Sequence, residues 1–316
     1  MKISAIVTTF NRATIVPDAV RSILAQSTPV DEIILVDDGS TDETADSVRI
    51  AFAGAAVSCR YIKKLNGGMA SALNHGVSQA SFDWIAFLDD DDLWDMHHIQ
   101  RMHELHRRHP TLGCISGLRI EGNSLQAPPP ALLSGYERDT ATPDLLIFRQ
   151  RPFSKPLFTP VVGTTIVERK LVQRVPFSPE AGARVDIHFF WRLSEVTDIG
   201  LDLQCHGTGR QFRVSLLSTD EDAPAEVKEK IVLKRNADEI AMLEDLLRGR
   251  DGPASLTLQQ LLKDTLIGRS YLLRGYGRHR EALQHLQQCF GRCDTVPTVK
   301  EGLLALLRVS PKNNAS

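Results

Sequence analysis

The residues that say most about chemistry are four consecutive carboxylates, Asp89, Asp90, Asp91 and Asp92. They follow the apolar run 84–88, which is typical of a strand buried on both faces. Like charges this close repel and raise one another's pKa values, and a divalent cation with oxygen ligands relieves that repulsion. Mg²⁺ bound by one or two carboxylates usually also binds substrate phosphates. The acidic run therefore predicts a metal–diphosphate site, and a solvated turn that begins the next helix is the alternative.

Strand-like and helix-like segments alternate through the first part of the chain. The strand-like segments are short apolar runs at 3–8, 32–37, 58–63, 83–89 and 113–118. Segments with helical periodicity lie between them, at 14–26, 41–52, 69–79 and 95–109. This alternation predicts an α/β fold in which helices cover both faces of a mostly parallel, Rossmann-like sheet. Ligands of such sheets bind outside the carboxyl ends of the strands, so side chains that directly follow a strand are candidates for binding.

Polar clusters follow four of the predicted strands. The first cluster comprises Thr8, Thr9, Phe10, Asn11 and Arg12. In the second, Asp38 could accept hydrogen bonds from a nucleobase or a ribose, whereas residues 40–43 could simply begin the next helix. The third cluster, Asn66-Gly67-Gly68, has the glycines of a loop that passes close to a ligand, or of a plain turn. With the acidic run as the fourth, these clusters predict one site at one edge of the sheet.

In this order, the four clusters resemble the motifs of the family 2 glycosyltransferases, which have the GT-A fold. The resemblance implies inverting transfer of a sugar from a nucleotide-diphosphate donor, with Mn²⁺ or Mg²⁺ as the cofactor. On this resemblance, Thr8 and Asp38 would contact the base and the ribose of the donor. Asp89 and Asp90 would face the donor, and Asp91 would bind the metal ion. The remaining members of the predicted donor site are Thr9, Phe10, Asn11, Arg12, Asn66 and Gly67.

An inverting transferase also needs a base that takes the proton from the acceptor hydroxyl. Members of the family place this base after the donor half, at the start of a helix, and the matching segment here is 183–193. Asp186 is therefore the predicted catalytic base, and a helix N-cap is the alternative interpretation of its position. Val185 stands where the family usually has Glu. Because of this departure, the other candidate bases are Glu180, Glu195 and Asp198.

Three more segments of the second half bear on the site. Residues 161–168 are predicted to form a strand of the acceptor-side sheet, and residues 211–218 resemble the strand that closes the catalytic domain in this family. Ser215 stands where that strand often carries His, so no histidine is assigned to the metal. His206 is interpreted as a polar loop residue, and the histidine-rich helix at 95–109 as having a solvated imidazole face.

The composition excludes several classes of protein. The chain has 316 residues, of which 42% are hydrophobic and 24% are charged, and its net charge is −2. This balance gives no attraction to nucleic acid. Its 5 cysteines are scattered and odd in number, which favours reduced thiols in the cytoplasm. No apolar stretch approaches the ~20 residues of a membrane span. The sequence predicts a soluble cytoplasmic protein and leaves peripheral association with the inner face of a membrane open.

The carboxyl-terminal part has a different pattern, with helices predicted at 227–248, 256–276, 280–289 and 299–309. We therefore predict two domains, a GT-A catalytic domain at 1–220 and a helical region at 221–316. The helical region could form a homodimer, bind a partner or cover the acceptor groove.

The predicted function is transfer of a sugar, with a UDP-sugar as the expected donor, to a hydroxyl of a glycan or other acceptor in polysaccharide or glycoconjugate synthesis. Two alternatives remain open. A nucleotidyltransferase shares the α/β layout and the carboxylate-bound metal, although residues 8–12 contain no glycine. A catalytically silent nucleotide-sugar-binding or scaffold module is the second, because Val185 and Ser215 depart from the family pattern.

Overall fold

The structure is a computed structural model that describes residues 1–121, 124–125, 133, 135–149, 160–209 and 224–290. The chain forms two compact units, Met1–Ser218 and Thr219–Ser316. The assignment of catalysis to the first unit stays a prediction. The predicted strand at 211–218 and the predicted helix at 299–309 lie outside the described residues.

The amino-terminal half of the first unit is a parallel sheet covered by helices, as the alternating pattern predicted. Its strands are β1 (Ile3–Thr9), β2 (Glu32–Asp37), β3 (Ser58–Lys63) and β4 (Trp84–Asp89). Its helices are α1 (Val16–Leu24), α2 (Thr44–Phe52), α3 (Met69–Gln79) and α4 (His98–Arg108). The strands lie in the order β3-β2-β1-β4, so the carboxyl ends of all four meet at one edge.

The second half of this unit adds mixed strands to the same sheet. They are β5 (Asp92–Trp94), β6 (Cys114–Glu121), β7 (Ser124–Leu125), β8 (Glu137–Arg138), β9 (Leu145–Phe148), β10 (Thr165–Glu168) and β11 (Ile199–Gly209). β10 lies between β4 and β6 and is antiparallel to both, while β11 is parallel to β6. β5 pairs with β11 as well, outside the main strand order. The predicted strand at 161–168 is shorter, because Val162–Thr164 form a 3₁₀ turn before β10.

The core lies on both faces of the central strands, and β1, β2 and β4 are buried along almost their whole length. On one face, the apolar sides of α1 and α4 pack against the sheet. On the other face α3 approaches closely, because a Cβ on Gly76 would lie only 2.6 Å from Ile6 Cγ2. Two further helices complete the unit, α5 (Arg169–Arg174) and α6 (Val185–Ser194). This packing fixes the strand ends that carry the polar clusters.

The second unit is helical in its described part. It contains α7 (Ala225–Leu247), α8 (Pro253–Gly275) and α9 (His279–Phe290). Leu233, Leu273 and Ala282, one from each helix, form a small buried cluster. Across the described residues, no helix is long and apolar enough to span a membrane.

Candidate active site

The loops after β1 and β2 are tied together by backbone and side-chain hydrogen bonds. Asp38 N donates to Thr9 O at 2.9 Å, and Asn11 N donates to Ser40 Oγ at 2.8 Å. In return, Thr41 N donates to Asn11 Oδ1 at 2.7 Å. Asn11 adopts a left-handed φ of 53°, which asparagine tolerates better than most residues. The first and second clusters therefore form one continuous rim.

Asp38 fixes the third cluster to this rim. Its buried carboxylate accepts a hydrogen bond from Lys64 Nζ at 2.6 Å, from Gly67 N at 3.0 Å and from Gly68 N at 2.7 Å. Gly39, at φ +90°, lets the backbone turn where a Cβ would lie 3.0 Å from Asn66 N. Three charge-assisted contacts of this kind hold a carboxylate and its neighbouring loop in one place.

The structure also decides how helix α2 begins. It begins at Thr44, and Asp42 Oδ1 accepts hydrogen bonds from Thr44 N at 3.1 Å and from Thr44 Oγ1 at 2.5 Å. Ser40 and Thr41 instead contact Asn11. The interpretation in which Ser40 or Thr41 caps this helix is therefore wrong, because the loop from β1 takes up their polar groups.

The acidic run is held from three directions at the end of β4. Thr9 Oγ1 donates to Asp90 Oδ2 at 2.6 Å. Arg12 Nη1 lies 3.7 Å from Asp91 Oδ2. Arg119 Nη1, from β6, lies 2.6 Å from Asp92 Oδ2. Gly163 packs closely against the acidic run, because a Cβ at this position would lie 3.0 Å from Asp89 Oδ2 and 3.3 Å from Asp92 Oδ2.

The electrostatics of the run show the repulsion that the sequence predicts. Burial, followed by the charges of Asp92 and Asp91, holds the pKa of Asp89 well above its usual range. Burial also raises the pKa of Asp90 to about 6, although the hydrogen bond from Thr9 lowers it. Such carboxylates are stabilised by uptake of a proton or by binding of a cation.

The donor set fits a hard divalent cation, because the groups that face one another here are carboxylate oxygens. Within the described ranges, no group of 3 or more His, Cys, Asp or Glu side chains is arranged to hold a metal ion by itself. Mg²⁺ in proteins is usually bound by one or two carboxylates together with substrate phosphates.

Asp186 lies in the first turn of α6, as the second helical residue. Its Oδ1 accepts a hydrogen bond from Ile187 N at 2.8 Å. Burial raises the pKa of Asp186, while Arg184 and Arg119 act to lower it. The N-cap position belongs to Arg184, so the interpretation of Asp186 as the N-cap is wrong. Val185, in place of the family's usual Glu, is buried at the first turn.

Arg119 connects the two groups of carboxylates. It pairs with Asp92, and its charge acts on the pKa values of both Asp89 and Asp186. Arg119 is therefore in direct contact with the acidic run and within electrostatic range of Asp186. The sequence reasoning missed Arg119, and the available signal was an arginine within the apolar strand of residues 113–120.

The remaining predicted donor-site residues lie on the same rim. Thr8 is half-buried and is aligned with Asp89 in the register of β1 with β4. Phe10 is 45% exposed, and Asn66 is exposed beside Gly67. Lys64, directly after β3, was not predicted, although a lysine at a strand end among carboxylates is a recognisable signal.

His206 corrects an expectation from the sequence. It is buried in β11, where Nε2 lies 3.0 Å from Asp202 Oδ2 and Nδ1 lies 2.9 Å from His98 Nδ1. It is therefore not a loop residue, and His98 is not on a solvated face. The reason is Gly117 in the neighbouring β6, where a Cβ would lie only 1.8 Å from His206 Cδ2. The missing side chain leaves the space that the imidazole fills.

Comparison with known proteins agrees with this architecture. Residues 4–173 match the family described as glycosyl transferase family 2. An uncharacterized glycosyltransferase of Nostoc sp. (strain PCC 7120) is 37% identical over 124 residues, which are 39% of this chain and 38% of that protein. A poly-beta-1,6-N-acetyl-D-glucosamine synthase of Staphylococcus epidermidis is 32% identical over 116 residues, 36% of this chain and 28% of that protein. The chain thus matches well under half of the length of these relatives.

Solved structures share the fold at low identity. Staphylococcus aureus TarS, residues 1–349, is 17% identical with a TM-score of 0.54 and 89% of each chain covered, and it was also solved with UDP and with UDP-GlcNAc. The mannosyltransferase PcManGT from Pyrobaculum calidifontis, in complex with GDP-Man and Mn²⁺, is 17% identical with a TM-score of 0.58, covering 96% of this chain and 79% of that one. The family match, the mixed sheet and the four strand-end clusters together identify the chain as a member of glycosyl transferase family 2 with the GT-A fold.

Proposed function

We propose that this protein transfers a sugar from a UDP-sugar donor to a hydroxyl group of a glycan, with inversion at the anomeric carbon. The observation that carries the proposal is the acidic run at the shared carboxyl edge of the parallel strands, where Thr9, Arg12 and Arg119 contact three of its carboxylates. UDP in the TarS complexes and the poly-N-acetylglucosamine product named for the staphylococcal relative support a UDP-sugar and polysaccharide synthesis.

The donor's base and ribose would bind at the rim formed by the loops after β1, β2 and β3. Asp38, whose carboxylate already orders Gly67 and Gly68, would contact the base or the ribose, together with Thr8. Asp89 and Asp90 would face the sugar and the diphosphate. Hydrogen bonds to buried, positioned carboxylates discriminate strongly between ligands, because an unmatched partner leaves a buried polar group unpaired.

Asp91 would hold the divalent cation, Mn²⁺ or Mg²⁺, with the phosphates of the donor completing its shell. When bound, such an ion neutralises the negative charge that develops on the leaving diphosphate. The oxygen-only donor set and the raised pKa values of Asp89 and Asp90 support this assignment.

Asp186 would act as the general base. As the acceptor oxygen attacks the anomeric carbon, its proton passes to the Asp186 carboxylate and the bond to the diphosphate breaks on the opposite face. A single displacement of this kind inverts the configuration of that carbon. Burial raises the pKa of Asp186, which favours its uptake of a proton in the transition state.

The test measures nucleotide binding and then turnover. A panel of nucleotide sugars is titrated against the protein in Mn²⁺ and in chelator, and the donors that bind are tried with glycan acceptors. We expect UDP to bind at least tenfold more tightly with Mn²⁺, and Asp91→Asn to remove most of that difference. Asp83→Asn is the matched control, because this exposed carboxylate lies at the opposite end of β4. Equal affinity for UDP with and without the metal ion contradicts the proposed metal site, and nucleotide binding without any turnover favours a silent binding module.

A further inference from the structure

Arg119 reaches the acidic run across an intervening strand. β11 lies between β6, which carries Arg119, and β5, which begins at Asp92. Neighbouring strands lie about 4.8 Å apart, so the pair spans roughly 10 Å of sheet. The guanidinium nevertheless makes a short contact, with 2.6 Å between Nη1 and Asp92 Oδ2.

Gly209 makes this crossing possible. In the sheet register it lies opposite Asp92 on one side and Glu121 on the other. A Cβ on Gly209 would lie 3.1 Å from Nε and 3.3 Å from both Cδ and Cζ of Arg119. A larger side chain at this position would therefore displace the arginine from its route to Asp92.

The contact is more than a strand-to-strand tether. Burial and the neighbouring carboxylates hold the pKa of Asp89 well above its usual range, and the charge of Arg119 acts in the opposite direction. Burial likewise raises the pKa of Asp186, and Arg119 acts weakly against that rise. An arginine supplies this charge at any physiological pH.

We propose that Arg119 is a positioning residue for the transfer reaction, because it crosses the gap at Gly209 to fix Asp92 and sets one positive charge against the acidic run. The inference rests on the proposed function. Its consequence is a charge balance: Arg119 limits the negative charge that a bound cation meets.

The test titrates Mn²⁺ alone into the 316-residue chain and four variants, after circular dichroism and thermal unfolding show that each is folded. We expect R119Q to bind Mn²⁺ about tenfold more tightly than the parent, because the carboxylates lose a positive charge a few Å away. R119K should stay within about threefold of the parent. In D92N/R119Q one negative charge is removed with the positive one, so affinity should return toward the parent value. R149Q is the control, because it breaks an ion pair with Asp198 outside this cluster, and we expect it to change affinity less than about twofold.

Gly209→Val should displace the Arg119 side chain without removing any charged residue from the protein. It should bind Mn²⁺ more tightly than the parent, as R119Q does, because the displaced guanidinium no longer lies against Asp92. In transfer assays, kcat should fall in R119Q and recover in part in R119K, while KM for the donor changes less.

The outcomes separate this inference from the proposed function. A parent protein that binds neither Mn²⁺ nor UDP overturns both. A parent that binds them, with R119Q binding Mn²⁺ equally or more weakly, overturns the inference alone and leaves Arg119 as a tether of β5.

Discussion

The proposed donor half of the site, at the loops after β1 to β4, and its proposed acceptor half, around α6, are built in different ways. In the donor half, each polar cluster directly follows its own strand, from β1 to β4, and short contacts such as Asp38 to Gly68 join neighbouring loops. In the acceptor half, the side chains come from β6, β11 and α6, and Arg119 crosses a whole strand to reach Asp92.

In the donor half each side chain is placed by the strand just before it, whereas in the acceptor half side chains are placed by the pairing of segments far apart in the chain. A parallel strand followed by a tight turn delivers its next residues to the sheet edge whatever the rest of the chain does. The acceptor half depends on a long-range pairing, in which β10 lies between β4 and β6. We therefore expect nucleotide binding to depend on the first half and proton transfer on the second, with Arg119 joining the two.

The largest expected effect tests whether the acceptor half carries the base. Asp186→Asn preserves the size of the side chain and can still accept the hydrogen bond from Ile187 N, but it cannot take up a proton near neutral pH. General-base catalysis contributes about 10²–10⁴-fold, so single-turnover transfer should fall by roughly that factor. Affinity for UDP with Mn²⁺ should stay within about twofold, because the nucleotide contacts lie in the donor half.

Glu180→Gln is the matched comparison, because Glu180 is an exposed carboxylate in the turn just before α6. Full activity in Asp186→Asn together with loss of activity in Glu180→Gln would move the base to Glu180. Loss of UDP affinity in Asp186→Asn would show that the two halves do not act separately.

The second largest expected effect is a loss of nucleotide affinity when Asp38, in the donor half, is replaced. Asp38→Asn removes the ion pair with Lys64 and weakens the acceptor of the Gly67 and Gly68 amides. An unpaired buried partner reduces stability or affinity by about 1–3 kcal/mol, so UDP should bind roughly 5- to 150-fold more weakly. Calorimetry with Asp38→Asn, beside the exposed control Asp83→Asn, measures this. Unchanged affinity in a folded variant would mean that Asp38 orders the loop without contacting the nucleotide.

The same contrast explains what the sequence could and could not predict. The strand and helix pattern was enough to place α3, which begins at Met69 and ends at Gln79 as predicted, because its periodicity is local. It was also enough to bring Thr9, Arg12 and the acidic run together, since the carboxyl ends of parallel strands share an edge.

The polar contacts of β11 could not be predicted in this way. The burial of His206 depends on the pairing of β11 with β6 and on the absence of a side chain at Gly117, which lies 89 residues earlier in the chain. Arg119 likewise owes its partner to Gly209. In both cases a glycine in one strand makes room for a long or bulky side chain from its neighbour, and no periodicity within one segment reveals that.

The buried histidine pair gives the smallest and most local test. His98 Nδ1 and His206 Nδ1 lie 2.9 Å apart, so one of these two nitrogens donates to the other, while His206 Nε2 lies 3.0 Å from Asp202. Within the described residues, His98 Nε2 is buried without a hydrogen-bond partner. Burial and the neighbouring His206 therefore hold the pKa of His98 well below 6.5.

Because the pKa of His98 is lowered in the folded protein, acidic pH should decrease the stability of the fold. Below pH 6.5 the unfolded chain binds a proton at His98 that the folded protein does not bind, so stability is fully present above 6.5 and is lost as the pH falls. Between pH 7.5 and 5.5 the loss should be roughly 1 kcal/mol, measured as the free energy of unfolding in urea. Asp90 acts in the opposite direction, because burial raises its pKa to about 6 and the folded protein binds that proton more strongly than the unfolded chain.

The difference between the parent and His98→Asn isolates the histidine, since Asn can still donate to His206 and does not titrate. A variant with the same loss of stability as the parent would place the acid sensitivity elsewhere, and His98 would then contribute nothing to the pH dependence.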